Sequence, residues 1–421
     1  MFNAGAVRTR SNFGAGAALL LLIAVACLAL RILHVVAKFR GDVPDAFGDF
    51  NFYLYAFNVV PHDPARLYDH DALIAFLQGI GARSTGDDIF YAYPPQFALV
   101  FAPLALLTPL AAKIVWVSAS IVLFALALYL VVTMAYRGAE RSVSLLLVAV
   151  ALLSFPLVED TYDGQSNELL FFLLVATFAL IERGKGYAAG LFLGFAIAIK
   201  LTPLAVAGLL LLRREWRTFV MASVVAIALT LITGARLGFD VLWHYFVSDM
   251  PRLNGMALAM SGGGAPMNNA VRGALQTLSA TLGMPMSGTL LSIVSHALVL
   301  AACLLSAYLV FRRHRDGRID YALASMTMLV AYPILEPIHM VLALIPLLIL
   351  LGTAFEARDG QLSALGPRLE MLLVAVVVVL LFFAARFVSY TVAALIIYLL
   401  CVARHFPPSE VGWRERAYQP G

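Results

Sequence analysis

Four polar clusters stand out in a chain that is otherwise mostly apolar. The first is Asp49 in "FGDFNFYLYAFNVVP" (47–61), an acid at the head of an aromatic run. If a helix starts there, Phe52, Tyr53, Ala56, Phe57 and Val60 form one apolar stripe, and Pro61 ends it. Asp49 then has two compatible roles: an N-cap accepting an early backbone N–H, or a general base kept ionised by the helix dipole. The second is Lys200 in "AIAIKLTP". A lysine inside an apolar run is costly, so it either meets an anion such as a phosphate or snorkels from a helix end. The third is "EDTYDGQSNELL" (159–170), read as a short polar loop whose Gln165 and Asn167 amides suit sugar hydroxyls or simply face solvent. The fourth is "YPILEPIHM" (332–340), which places His339 and Glu336 beside prolines. "FYAYPP" (90–95) offers Tyr93 to a sugar ring or to the membrane interface, and Tyr53 could line the same pocket.

The elements that must position these groups are membrane helices. Of 421 residues, 62% are hydrophobic and 13% charged, where a soluble domain carries about 25% charge. Apolar runs recur from end to end, without the alternating short strands of a membrane barrel. We expect an all-α polytopic membrane protein forming one integral domain over 1–421. Helices are expected near 16–37, 112–136, 141–157, 166–182, 187–199, 202–212, 217–235, 288–311, 320–335, 337–354, 368–385 and 389–404. "KLTP" should break the apolar stretch 187–212 into two short helices. Prolines 94, 95 and 103 make 93–110 an interfacial or re-entrant segment.

Basic segments such as "YRGAER", "ERGKG", "RREWR" and "RRHRDGR" then fall on one side, the cytoplasm. That places both termini inside and two long segments, 38–111 and 236–287, outside. Most acids gather on the external face. The N-terminal run after Arg8 and Arg10 reads as the first transmembrane helix. Arg31 and Arg386, near helix ends, either snorkel or meet a lipid phosphate. Cys27, Cys303 and Cys401 all lie in apolar runs with no metal-binding spacing. The net charge of +4 calls for no nucleic acid. The sequence carries no Walker A, HExxH or GxSxG motif.

Taken in order, "GDFNFYLYA", "LYD", "YAYPPQFALVFAPLALLTPLAAKIVW", "DGQSNELLFFLL" and "GLFLGFAIAIKLTPLAVAGLLLLRREWR" resemble the bacterial GT-C glycosyltransferases of family eighty-seven. That family includes polyprenol-phosphate-mannose-dependent mannosyltransferases. The resemblance covers about residues 15–220; beyond them it rests on hydrophobic layout and "YPILEPIHM". It implies a GT-C fold with about twelve transmembrane helices plus interfacial helices in the first external loop. It also implies an inverting transfer of sugar, mannose first among candidates, from a polyprenyl-phosphate donor to a lipid or glycan acceptor. The site would face the periplasm or exterior of a bacterial inner membrane. Asp49 corresponds to the catalytic aspartate, Lys200 to the lysine of a "KxxP" element, and Gln165 and Asn167 to "GQxN". His339 corresponds to a late histidine in surroundings that depart from the family pattern. Phosphate is a good leaving group, so one base suffices, with no cofactor or metal required; a glycosidase would need a facing carboxyl pair. The rival reading is a transporter or flippase, which predicts inverted repeats with matching helix breaks; the second half of the chain has no partner for "KLTP".

Overall fold

The computed structural model describes residues 18–29, 47–82, 90–252, 268–312, 316–356, 365–382 and 389–406, with isolated positions 15, 16, 32, 33, 36 and 255. Arg8, Arg10, Arg31, Asp42, Asp45, Asp87, Asp88, Arg386, most of "MSGGGAPMNN" and the C-terminal tail lie outside the described residues. Among the described residues the chain is helical and carries no strand. Four helices are long and apolar enough to cross a membrane: Pro109–Ala135, Trp216–Leu237, Gly288–Arg312 and Pro337–Glu356. The pair Arg141–Leu153 and Phe155–Asp163 passes the same test as one span bent by 51°.

In chain order, α1 is Ala18–Ala29, followed by α2 (Gly48–Val59), α3 (His70–Gly79) and α4 (Pro95–Phe101). The span α5 (Pro109–Ala135) leads to α6 (Arg141–Leu153), α7 (Phe155–Asp163), α8 (Asn167–Glu182), α9 (Gly186–Ile199), α10 (Leu204–Leu212) and α11 (Trp216–Leu237). Beyond it come α12 (Phe239–His244), α13 (Val271–Thr281), α14 (Gly288–Arg312), α15 (Gly317–Val330), α16 (Leu344–Glu356), α17 (Pro367–Phe382) and α18 (Ser389–Ala403). A 3-10 turn, Pro337–Ala343, runs into α16. α5, α8, α9 and α11 pack in sequence, and α16 closes against α5 and α15.

Breaks fall where prolines and polar residues dictate. α9 stops at Ile199 and α10 starts at Leu204, so "KLTP" does interrupt the apolar stretch. Pro103 accompanies the change from α4 to a 3-10 turn over Ala102–Leu106. The expected single helix over 141–157 is instead bent at Ser154, because Pro156 cannot donate to the turn before it. The expected helix over 320–335 ends at Val330, short of Pro333.

Two further expectations change. α2 starts at Gly48, and its cap position is Phe47, held at φ 56°; Asp49 is inside the first turn and is not the N-cap. Nor does the helix show one apolar stripe. Phe50, Asn51, Tyr53, Leu54, Tyr55, Ala56 and Phe57 are all buried, so protein surrounds α2 on nearly every side. The stretch 159–170 is likewise no solvated loop. It is the end of α7, a tight turn and the start of α8, with Asp160, Asn167 and Glu168 at 0–1% exposure.

Backbones approach closely between α9 and α11. Gly190 and Gly194, four apart, lie on the shared face; a Cβ at Gly194 would sit 2.6 Å from the Ala222 carbonyl oxygen. Where lipid removes most of the hydrophobic drive, such close backbone contact supplies the attraction. Gly194→Val should therefore lower the melting midpoint in detergent, costing about 1–3 kcal/mol. Gly208→Ala in α10, where a Cβ would meet nothing within 4 Å, should leave it unchanged or slightly raised. Equal melting of both variants would show that the α9–α11 contact carries no such weight.

Candidate active site

The turn Gly164–Ser166 organises the site. Gly164 adopts φ +69°, and a Cβ there would lie 2.9 Å from the Phe47 Cβ. Its carbonyl accepts the Trp116 indole N–H at 2.9 Å. A residue free to take positive φ and without a side chain is what lets the α7–α8 turn dock on the head of α2. The docking brings Gln165 to Asp49, 116 residues away in the chain.

Gln165 is a two-ended bridge. Its Nε2 donates to Asp49 Oδ2, and its Oε1 accepts the Tyr53 hydroxyl at 2.6 Å. The Tyr93 hydroxyl lies 3.1 Å from the same Oε1 and 2.8 Å from the Tyr53 hydroxyl, and accepts from Ser166 Oγ at 2.8 Å. A carboxylate can only accept, so the amide must turn its NH2 toward Asp49, leaving its oxygen for the tyrosines. The Tyr53 and Tyr93 rings meet edge to face, 4.9 Å between centroids. Asp49 remains partly exposed. Burial raises its pKa above the ordinary aspartate value, and the Gln165 hydrogen bond pulls it part of the way back.

Asn167 makes a second bridge behind the first. Its Nδ2 donates to Asp160 Oδ1 at 2.7 Å, and its Oδ1 accepts Lys200 Nζ at 2.9 Å. Lys200 is 7% exposed; it does not snorkel. Its ammonium lies 5.3 Å from the Tyr93 ring centroid and 5.4 Å from that of Tyr332, in cation–π range. The break at "KLTP" frees Lys200 from the helical path: its backbone is extended, φ −155° and ψ 125°.

His339 closes the other side, its ring 4.7 Å from Tyr332. The backbone N–H of Glu336 donates to His339 Nδ1 at 3.0 Å, and the Glu336 side chain accepts in return, a reciprocal capping box. Nδ1 is thus an acceptor, so the neutral ring carries its proton on Nε2. The Glu336 carboxyl is pushed up to about 7, by burial first and then by the negative charge of Asp49, with Lys200 opposing. Asn268 anchors this stretch: its Oδ1 accepts the Leu335 N–H at 2.9 Å and its Nδ2 donates to the Pro333 carbonyl at 3.1 Å.

All seven residues singled out in the sequence, Asp49, Tyr53, Tyr93, Gln165, Asn167, Lys200 and His339, therefore gather in one region. The amides of Gln165 and Asn167 are engaged with neighbouring side chains rather than left open. Sequence reading missed Ser166, Tyr332 and Asn268, and treated Asp160 as one external acid among many. An acid seven residues before an asparagine at a helix start was the available signal for Asp160. The second long segment also reaches the first: Tyr245 stacks on Tyr68 at 5.3 Å, and Arg252 bonds both Asp249 and the Tyr68 carbonyl. Tyr68 in turn donates to the Tyr93 carbonyl at 2.8 Å. Among the described residues no group of three or more His, Cys, Asp or Glu side chains is placed to hold a metal ion.

Two curated relatives are similar to this chain, both from Mycolicibacterium smegmatis. One is a polyprenol-phosphate-mannose-dependent alpha-(1-2)-phosphatidylinositol pentamannoside mannosyltransferase, 30% identical over 209 residues, 47% of this chain and 47% of the relative. The other is a polyprenol-phosphate-mannose-dependent alpha-(1-2)-phosphatidylinositol mannoside mannosyltransferase, 30% identical over 172 residues, 38% of this chain and 37% of the relative. The chain thus spans about half or less of the length of the curated relatives it matches. No solved structure matches it. The model of glycosyltransferase family 87 matches residues 91–333. That range includes Tyr93, Gln165, Asn167 and Lys200, begins after Asp49 and ends before His339. It takes in more than half of the 421 residues, and the chain belongs to glycosyltransferase family 87.

Proposed function

We propose that this chain moves a mannosyl group from a polyprenyl-phosphate donor to a hydroxyl of a lipid or glycan acceptor, with inversion. The observation that carries the reading is the convergence of one partly exposed carboxylate, Asp49, with one buried ammonium, Lys200, across a wall of tyrosines. Family membership and the two mannosyltransferase relatives support it. In this reading Asp49 takes the proton of the acceptor hydroxyl. The freed oxygen attacks the anomeric carbon, the carbon–phosphate-oxygen bond breaks on the opposite face, and polyprenyl phosphate departs. Lys200 and the Nε2–H of His339 stabilise the phosphate oxygens as charge builds there. Tyr53 and Tyr93 hold the sugar, and Gln165 orients Asp49. No metal or other cofactor enters this scheme.

The wider arrangement follows from the same reading. About twelve helices cross a bacterial inner membrane, both termini face the cytoplasm, and the single domain over 1–421 opens its site on the external side. The segment 38–111 contributes interfacial helices at headgroup depth. A donor whose tail lies in the bilayer presents its phosphosugar there, which explains why the catalyst is embedded.

The direct test supplies labelled polyprenyl-phosphate sugars to purified protein in native lipids. Wild type should transfer mannose, and Asp49→Asn should lose about 100-fold or more in kcat, the scale of a lost general base. Full activity of Asp49→Asn would remove Asp49 as the base, and no transfer from any such donor would favour a transporter. The pH profile gives a second test. Asp49 must be ionised to accept a proton, so activity should rise with pH through its pKa, and burial places that limb above the usual aspartate range of about 4. Gln165→Leu removes the hydrogen bond that lowers this pKa and should move the acidic limb to still higher pH. A limb that stays put, or moves down, would contradict the assignment.

A further inference from the structure

We propose that Asp160 is a positioning residue for the donor phosphate, acting on Lys200 through the Asn167 amide; the proposal rests on the reading given under Proposed function. Three fully or nearly fully buried side chains stand in line. Asp160 is 0%, Asn167 0% and Lys200 7% exposed. Asp160 Oδ1 accepts from Asn167 Nδ2, and Asn167 Oδ1 accepts from Lys200 Nζ. Asp160 Oδ2 is taken by the Glu168 backbone N–H at 3.1 Å. The carboxylate thus sits at the N-terminus of α8, where the helix dipole favours negative charge.

The order of groups matters. A side-chain amide has one donating and one accepting end, and it can rotate by half a turn. A carboxylate that only accepts fixes which end points where. Asp160 therefore forces the oxygen of Asn167 toward Lys200. Without it the NH2 end could turn there, and two donors would face each other in a dry site. The arrangement also separates charge. Among the described residues Lys200 makes no ion pair with a carboxylate; its nearest polar partner is a neutral amide oxygen. The balancing negative charge lies one side chain further back. The ammonium uses one of its three donors on Asn167 and keeps the others for an anion. A carboxylate directly on Nζ would be an internal competitor for the phosphate. The amide spacer secures the lysine's direction while leaving its charge available.

The test is a double-mutant cycle on the purified protein with polyprenyl-phosphate mannose as donor. In Asp160→Asn one acceptor oxygen must serve two N–H groups, so the relay fails. The expected result is a roughly 10–100-fold loss in kcat/KM for the donor, the scale of a hydrogen bond to a charged group, with the acceptor KM unchanged. In a Lys200→Met background, Asp160→Asn should cost nothing further, because its effect passes through Lys200. A purely structural role would lower activity in both backgrounds. Asn167→Leu provides an independent cycle that leaves Asp160 its bond to Glu168; it should show the same donor-specific loss, masked in the same way. Undiminished donor kcat/KM in either single variant, or a full additional loss on top of Lys200→Met, would overturn the relay while leaving the transferase reading intact. No transfer by wild type would remove the reading on which it rests.

Discussion

Polar groups in an apolar surrounding must find partners, and in this chain two neighbouring amides provide them. An unpaired buried donor or acceptor costs about 1–3 kcal/mol, and a charged one more. Gln165 and Asn167 each carry a donor and an acceptor, and each is bonded at one end to a carboxylate that accepts and at the other to a group that donates. Gln165 joins Asp49 to Tyr53; Asn167 joins Asp160 to Lys200. Both amides come from a single four-residue turn and helix start. The rest of the structure can be understood as the means of holding that turn against α2 on one side and the "KLTP" break on the other.

Several local features serve that purpose. Gly164 allows the close approach to Phe47 and Phe50, and Trp116 ties its carbonyl to α5. Phe47 accepts a left-handed conformation, unusual for a bulky residue, at the cap position before α2. Strain of that kind persists only where surrounding packing dictates it, and Phe47 is 1% exposed. Asn268 performs the same service for the Glu336–His339 cap, by carrying three backbone groups on one side chain. The helix bend at Ser154 and the break at Lys200 both interrupt apolar runs next to the site, where irregular backbone is tolerated because it lines protein rather than lipid.

Much of this was legible in the sequence, for physical reasons. Hydropathy runs located the four long apolar helices and the bent pair because spanning length is set by bilayer thickness, and proline placed the breaks because it cannot donate. Asp49, Lys200, Gln165, Asn167 and His339 stood out because polar groups are costly in such surroundings. What could not be read was partnership across long chain separations. Nothing in "FGDFNFYLYAFNVVP" says that Gln165 is the partner of Asp49, and so the cap reading stayed open. The apolar residues of α2 suggested one lipid-facing stripe, yet Tyr55 and Leu54 turn out as buried as Tyr53. "EDTYDGQSNELL" looked like solvent-exposed polar loop, since charge density alone cannot distinguish a hydrated turn from a satisfied buried network.

The central claim is that Asp49 and Lys200 face one another across the reacting bond. Its most direct measurement is a cryo-electron-microscopy structure of the protein in nanodiscs with polyprenyl-phosphate mannose, using Asp49→Asn to prevent turnover. The account predicts the phosphate within hydrogen-bond distance of Lys200 Nζ and His339 Nε2, and the anomeric carbon turned toward residue 49. A phosphate bound away from Lys200, or a sugar with residue 49 on the leaving-group side, would contradict it.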